Sequence, residues 1–325
     1  MEEKIFQTKI TRMFGIQYPI IMGTMMRLAR AEMVAAASNA GALGVLASAT
    51  FPTRQAFRDE LKKIKNMTDK PFAVNLNLFP TKRPVDNMEY LEDIVAEGIK
   101  IVETSGHKVS DQIAHESKKN GILLIHKCVG LRYALKAQSI GADAVTVVGY
   151  ENGGATGVLD VTTLCLVPRV VDALNVPVIG GGGVADGRGF LALLSLGAEA
   201  VIMGSMFLLS EECPIHPRLK EALIDATELD TMVIMRSIQN SHRVWRNKPA
   251  EKIAELEKNG AQLEELVEVA SGERGKEMCE NGDVNTGIIS CGQGIGLVKK
   301  VMPMKDIVEA IIHQADALRK KLNNI

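Results

Sequence analysis

A chain of 325 residues, 46% hydrophobic and 24% charged, has the balance of a soluble globular protein and room for one large domain or two. Its net charge of −1 and lack of a long basic run argue against a nucleic-acid partner, and Lys62-Lys63 and Arg319-Lys320-Lys321 read as solvated helix faces. Five scattered cysteines without a Cys-x-x-Cys pair argue against a metal or iron–sulfur site. No run of about 20 apolar residues is long enough to span a membrane. The charged opening Met1-Glu2-Glu3-Lys4 does not lead into a signal-peptide core, so the expected location is the cytoplasm. Oligomeric state is left open, a homodimer included.

Short apolar runs alternate with helical spacing. Tyr18-Pro19-Ile20-Ile21-Met22-Gly23 predicts the first strand, and a helix follows over Ala31 to Asn39. Leu43 to Ala47 predicts the second strand, followed by a helix from Thr53, its N-cap, to Lys65. Phe72 to Asn77 is the third, Ile99 to Thr104 the fourth, Ile122 to Lys127 the fifth and Asp143 to Val148 the sixth. Helices are expected between them near Met88–Glu97, Val109–Lys119 and Leu131–Ser139. A glycine-broken loop from Gly149 to Gly157 precedes a helix near Thr162 to Ala173. Glycine recurs just before strands, at Gly41, Gly98, Gly121, Gly141 and Gly197, as helix C-cap glycines do.

The seventh strand carries the strongest local signal. Pro177 lacks an N–H and opens the strand, Val178 and Ile179 suit a buried position, and four glycines follow from Gly180 to Gly183. Asp186 is a good N-cap for the next helix. Strand, bare loop and helix N-terminus together favour a phosphate; the competing reading is a flexible turn. Ala200 to Gly204 is the eighth strand. Eight strands with glycine loops after the last two predict a (β/α)8 barrel, since an open doubly wound sheet usually places its phosphate loop after the first strand. From Pro214 to Gly287 the pattern shows helices and charge but no convincing strand, including one amphipathic helix over Ile253 to Val267. The expected organisation is a barrel of residues 1–212 and 288–325 with a helical insertion or lid at 213–287. The stretch 287–297 returns the chain to the barrel, and the last helix runs from Met304 to Leu322.

Barrel sites gather at the C-terminal strand ends. That rule selects Met22, Gly23, Thr24 and Met25; Asn75; Glu103 and Thr104; His126 and Lys127. It also selects Tyr150 and Glu151 with Asn152-Gly153-Gly154-Ala155, then Gly181, Gly182, Gly183, Gly204 and Ser205. There is no Gly-x-Ser-x-Gly elbow, no His-Glu-x-x-His and no set of ligands with metal spacing. Backbone N–H groups, amides and one cation suit a bound organic cofactor. Lys127 fits beside a flavin pyrimidine, while pairing with Glu103 or Asp143 accounts for it equally well. His126 reads as a hydrogen-bonded wall residue, His216 as a fixture at the barrel exit, and His107, His115, His242 and His313 as surface or structural residues.

The motifs Pro19-Ile20-Ile21-Met22-Gly23, Val102-Glu103-Thr104-Ser105-Gly106, His126-Lys127-Cys128, Gly181 to Gly187, Met203-Gly204-Ser205 and Ser290-Cys291-Gly292-Gln293-Gly294 together resemble the nitronate monooxygenase (2-nitropropane dioxygenase) family of FMN-dependent barrels. That family also contains flavin enoyl-ACP reductases. The nearest branch is the bacterial NADH:quinone reductases, through Glu212 to Pro217 and Ile234-Met235-Arg236-Ser237. The resemblance implies FMN, its phosphate on Gly182, Gly183, Gly204 and Ser205, with Asn75, Lys127 and Gln293 near the flavin. Met22, Gly23, Thr24, Glu103, Gly153, Gly154 and Gly181 complete the expected cofactor site.

Two departures stand out. Where the family loop reads Glu-x-Gly-Gly-His-x-Gly, this chain has Ala155, which cannot move a proton, a role worth about 10²–10⁴-fold. Lys127 and Tyr150 remain as candidate catalytic groups. In the loop after the third strand, the resemblance implies a gate at Pro80, Lys82 and Arg83, whose cations suit NADPH or a CoA-like acceptor. The leading expectation is hydride transfer from NAD(P)H through FMN to a quinone-like acceptor. The alternatives are oxidation of alkyl nitronates with O2, enoyl-thioester reduction, and a flavin-binding protein without catalysis.

Overall fold

The computed structural model describes residues 5–79, 86–106 and 110–324. Eight parallel strands form the central sheet: β1 (Ile20–Met22), β2 (Gly44–Ala47), β3 (Phe72–Asn77), β4 (Ile101–Ser105), β5 (Leu123–Cys128), β6 (Ala144–Val148), β8 (Val178–Gly181) and β9 (Ala200–Met203). They lie in the order β1-β9-β8-β6-β5-β4-β3-β2. The two ends meet through the parallel bridge of Ile21 with Leu43, with Met22 N donating to Leu43 O at 3.0 Å, and the sheet closes into a (β/α)8 barrel. Both faces of these strands are covered, which is why they read as near-continuous apolar runs.

Alternation along each strand sorts the side chains into two layers. Val45, Ala73, Ile101, Ile125, Ala144, Ile179 and Ala200 point inward to one cluster. The short helix Lys9–Phe14 adds Ile10 and Phe14 to it. The outward residues meet the helices. Helix Arg54–Met67, capped by Thr53 as expected, buries Phe57, Leu61 and Ile64 at i, i+4 and i+7. The glycines before the strands take the left-handed conformation, with φ from +64° at Gly121 to +95° at Gly141. Asp186 accepts from the N–H groups of Arg188 and Gly189 and starts helix Gly187–Ser195. Gly187 has no room for a side chain: a Cβ there would lie 2.5 Å from Ile311 O of helix Met304–Leu322.

Segment 213–287 contains helices Pro217–Ile224, Lys248–Lys258, Leu263–Val269 and Gly272–Asn281. Gly260, at φ +77°, splits the single helix expected over Ile253 to Val267. The expectation of no strand there is corrected. Strands β10 (Thr231–Ile234) and β11 (His242–Trp245) pair antiparallel, and β11 also pairs with β7 (Gly154–Ala155) in the loop after β6. Four-residue strands mixing polar and apolar positions leave almost no period to detect. Ile234, Val244, Ala250, Ile253 and Leu266 pack as a small core of their own. No helix among the described residues is long and apolar enough to cross a membrane.

Candidate active site

The C-terminal ends of β3, β4 and β5 converge on one carboxylate. Asn75, Glu103 and Lys127 are all at inward positions, and Glu103 is 1% exposed. Its Oε1 accepts from Thr24 Oγ1 at 2.7 Å, Asn75 Nδ2 at 2.7 Å and Lys127 Nζ at 2.9 Å. Of the two readings of Lys127, the structure shows the ion pair with Glu103, formed at the C-terminal end of β5. Asp143 is engaged elsewhere, accepting from Leu124 N. Met22 points the other way and is packed with the outer layer.

His126 also faces outward, as a wall residue. It is fully buried, with Nδ1 2.9 Å from Thr104 Oγ1. Burial pushes it down to about 4 from an ordinary 6.5. Between those values the unfolded chain binds a proton that the folded chain does not, so stability falls as pH falls from 6.5 towards 4. The loss from this group approaches about 3 kcal/mol at the bottom of that window. Urea unfolding across it is expected to show a shallower pH slope in His126→Gln than in wild type; equal slopes would mean that folded His126 is charged.

After β8 and β9 the backbone is bare and open. Gly182 and Gly183 have φ of +108° and +73°. The N–H groups of Gly182, Gly183, Gly204 and Ser205 donate to no acceptor among the described residues. A Cβ on Gly204 would meet nothing within 4 Å. Ser205 Oγ accepts from Gly292 N at 2.7 Å, and Gln293 N donates to Glu151 O at 3.0 Å, so the return segment lies against both loops. Glu151 accepts from Thr163 N and Thr163 Oγ1, capping the helix after the β6 loop. A cavity of about 490 Å³ opens beside the glycines, bordered by Glu151, Thr163, Gly182, Gly183 and Gln293. It lies next to the phosphate-type loop and does not include the Glu103–Lys127 pair. Gly153 has a packing role, since a Cβ there would sit 2.7 Å from Gly292 N.

The loop after β6 is held by the β10–β11 hairpin. Arg243, 3% exposed, stacks on the Tyr150 ring at 4.5 Å, donates from Nε to Tyr150 O at 3.1 Å and reaches Thr231 Oγ1. Its Nη2 has no hydrogen-bond partner among the described residues. Arg236 Nη2 donates to Tyr150 Oη at 3.1 Å, so the phenol is engaged by a cation. His242 lies opposite Ala155 in the β11–β7 register, with Nε2 2.8 Å from Ser290 Oγ. Reading His242 as a surface or structural residue missed this placement, and Arg243 was missed altogether. The usable signal was Val233-Ile234 and Val244-Trp245 on either side of Gln239-Asn240-Ser241, a weak hairpin pattern. The expected gate at Pro80, Lys82 and Arg83 lies outside the described residues.

This geometry defines a (β/α)8 barrel with its polar site at the C-terminal strand ends. The nitronate monooxygenase family model matches residues 7–112 and 91–314, and the chain belongs to that family. It is similar, at 33% identity and TM-score 0.89 over 98% of each chain, to the solved structure of FabK from Thermotoga maritima. A full-length relative is the (3aS,4S,5R,7aS)-5-hydroxy-7a-methyl-1-oxo-octahydro-1H-indene-4-carboxyl-CoA dehydrogenase of Rhodococcus jostii, 29% identical over 97% of this chain and 96% of its own. A probable nitronate monooxygenase of Staphylococcus saprophyticus is 30% identical over 70% of this chain and 75% of its own. The chain is accordingly an oxidoreductase of this family.

Proposed function

We propose that this protein is an FMN-dependent oxidoreductase that moves a hydride between NAD(P)H and an organic acceptor. The observation that carries this reading is the cluster of N–H groups at Gly182, Gly183, Gly204 and Ser205 that have no partner among the described residues. Backbone donors of this kind at the last two strand ends suit a phosphate monoester. These residues would hold the FMN phosphate, and Thr24, Asn75, Lys127 and Gln293 would border its ring. When bound, FMN supplies two-electron chemistry that no side chain offers. Lys127 provides positive charge for the electron-rich form, and Glu103, with Thr24 and Asn75, keeps that ammonium in place.

For the acceptor, an acyl thioester now has more support than the quinone-like molecule expected from sequence alone. The full-length relative named a carboxyl-CoA dehydrogenase supports it. A second reading, oxidation of alkyl nitronates, is supported by the family and by the Staphylococcus relative. Segment 213–287 is read as a lid, because β11 joins the loop after β6.

Anaerobic mixing of the flavin-loaded protein with NADH or NADPH is expected to bleach the flavin within seconds. Colour should return on adding crotonyl-CoA faster than on adding menadione, or propyl-3-nitronate with air. No bleaching with either nicotinamide would sink the central claim, and reoxidation by menadione alone would restore the quinone.

A further inference from the structure

The groups able to carry a proton at this site are mostly committed. Lys127 is paired with Glu103, His126 faces the outer layer, Tyr150 Oη holds Arg236, and Glu151 caps Thr163. Among the described residues His242 is the exception. It sits on β11 directly across from Ala155 of β7, and the neighbouring bond from Thr156 N to Ser241 O, at 3.1 Å, fixes that register. Cross-strand partners share a face, with Cβ atoms about 4.5–5.5 Å apart. The side chain of His242 therefore projects to the same side as the Ala155 methyl. Ser290 Oγ holds Nε2, while Nδ1 makes no hydrogen bond to a described residue. Beside the ring lies bare backbone: the nearest atoms to a Cβ built on Gly154 are His242 Cε1 at 3.8 Å and Ser290 Oγ at 3.9 Å. An oriented imidazole with one open nitrogen, next to a glycine, is the arrangement a general base requires.

We propose that His242 is the proton-transfer residue of the reaction, delivered by the inserted hairpin in place of the loop after β6. This rests on the thioester reading above. Reduction of an enoyl thioester replaces the C=C π bond by two C–H bonds. A hydride drawn from NAD(P)H, which is oxidised, arrives at the carbon β to the carbonyl, and a proton arrives at the α carbon. His242 carries that proton. Burial pushes His242 down to about 4 from an ordinary 6.5, so the resting ring is neutral and removes the α proton in dehydrogenation. In reduction the ring takes a proton from solvent, forms the imidazolium only transiently and releases that proton to the α carbon.

The test compares wild type, H242A, H242Q and the H242A/A155H double variant. FMN content and the rate of bleaching by nicotinamide are expected to be equal in all four, which shows that each folds and loads. Reoxidation by crotonyl-CoA is expected to slow about 10²–10⁴-fold in H242A and H242Q. It should recover at least about tenfold in the double variant, whose imidazole projects from the facing position. A wild-type rate in H242Q, or no gain from A155H, overturns the proposal. A second readout does not depend on turnover. Diethylpyrocarbonate should modify His242 in FMN-free protein, read by peptide mass, and FMN should block it. Modification that FMN leaves unchanged also overturns the proposal. If wild type bleaches but crotonyl-CoA never restores its colour, the acceptor assignment fails, and the protection experiment alone judges whether His242 faces the site.

Discussion

Lys127→Met is expected to cost about 3–5 kcal/mol of stability, because it strands a buried carboxylate. Glu103 is 1% exposed, and its Oε1 has three donors, only one of which is charged. Thr24 and Asn75 remain after the substitution, but neutral donors do not replace the lost counter-charge. The double variant Glu103→Gln with Lys127→Met removes both charges and should recover more than half of the loss, since the penalty belongs to the unpaired ion. Urea unfolding of the FMN-free proteins separates this from any effect on cofactor. A single variant as stable as wild type would mean that Glu103 does not depend on Lys127. The double variant should still reduce poorly with nicotinamide if Lys127 supplies the charge for the electron-rich flavin.

Gly204→Val and Gly181→Ala are expected to fail in opposite ways. Gly204 has φ −119° and ψ −64°, accessible to ordinary residues, and its Cβ position is open. Folding stability of Gly204→Val should stay within about 0.5 kcal/mol of wild type. FMN affinity should fall by about 1–3 kcal/mol, roughly 5–150-fold, because the side chain occupies the phosphate cradle and its donors go unused. At Gly181 a Cβ would lie 2.4 Å from Ile202 Cγ2 and 2.7 Å from Ile202 O. Gly181→Ala should therefore lose about 1–3 kcal/mol of stability through overpacking. FMN fluorescence quenching on titration into apoprotein, alongside urea unfolding, distinguishes the two. Wild-type FMN affinity in Gly204→Val would remove the phosphate assignment.

The contrast shows how far a run of glycines can be read. Gly180 to Gly183 read as one bare loop, yet the structure divides it: Gly181 is bare because Ile202 of β9 is against it, while Gly182 and Gly183 are turned into left-handed backbone whose N–H groups meet no acceptor among the described residues. Gly153 likewise looked like a cofactor contact and makes room for Gly292. A missing side chain is visible in the sequence; what lies in the space it leaves is not. Met22 was misread for a related reason, since strand parity decides its direction and a three-residue strand carries too little alternation to show it.

By itself the sequence determined the barrel, its strands and the loops that end them. β3 is found at the expected Phe72–Asn77, and Thr53 and Asp186 cap the helices they were expected to cap. Those features are local, written in apolar runs, caps and glycines within a few residues of one another. The family, too, was legible, because its motifs sit on those same loops. Tertiary structure alone decided which partner Lys127 takes and which histidine stands by the β6 loop. Glu103 and Lys127 come from neighbouring parallel strands, and His242 is 87 residues beyond Ala155, meeting it only through the β11–β7 pairing. Such contacts depend on strand register and chain crossing, which no local pattern of side chains encodes.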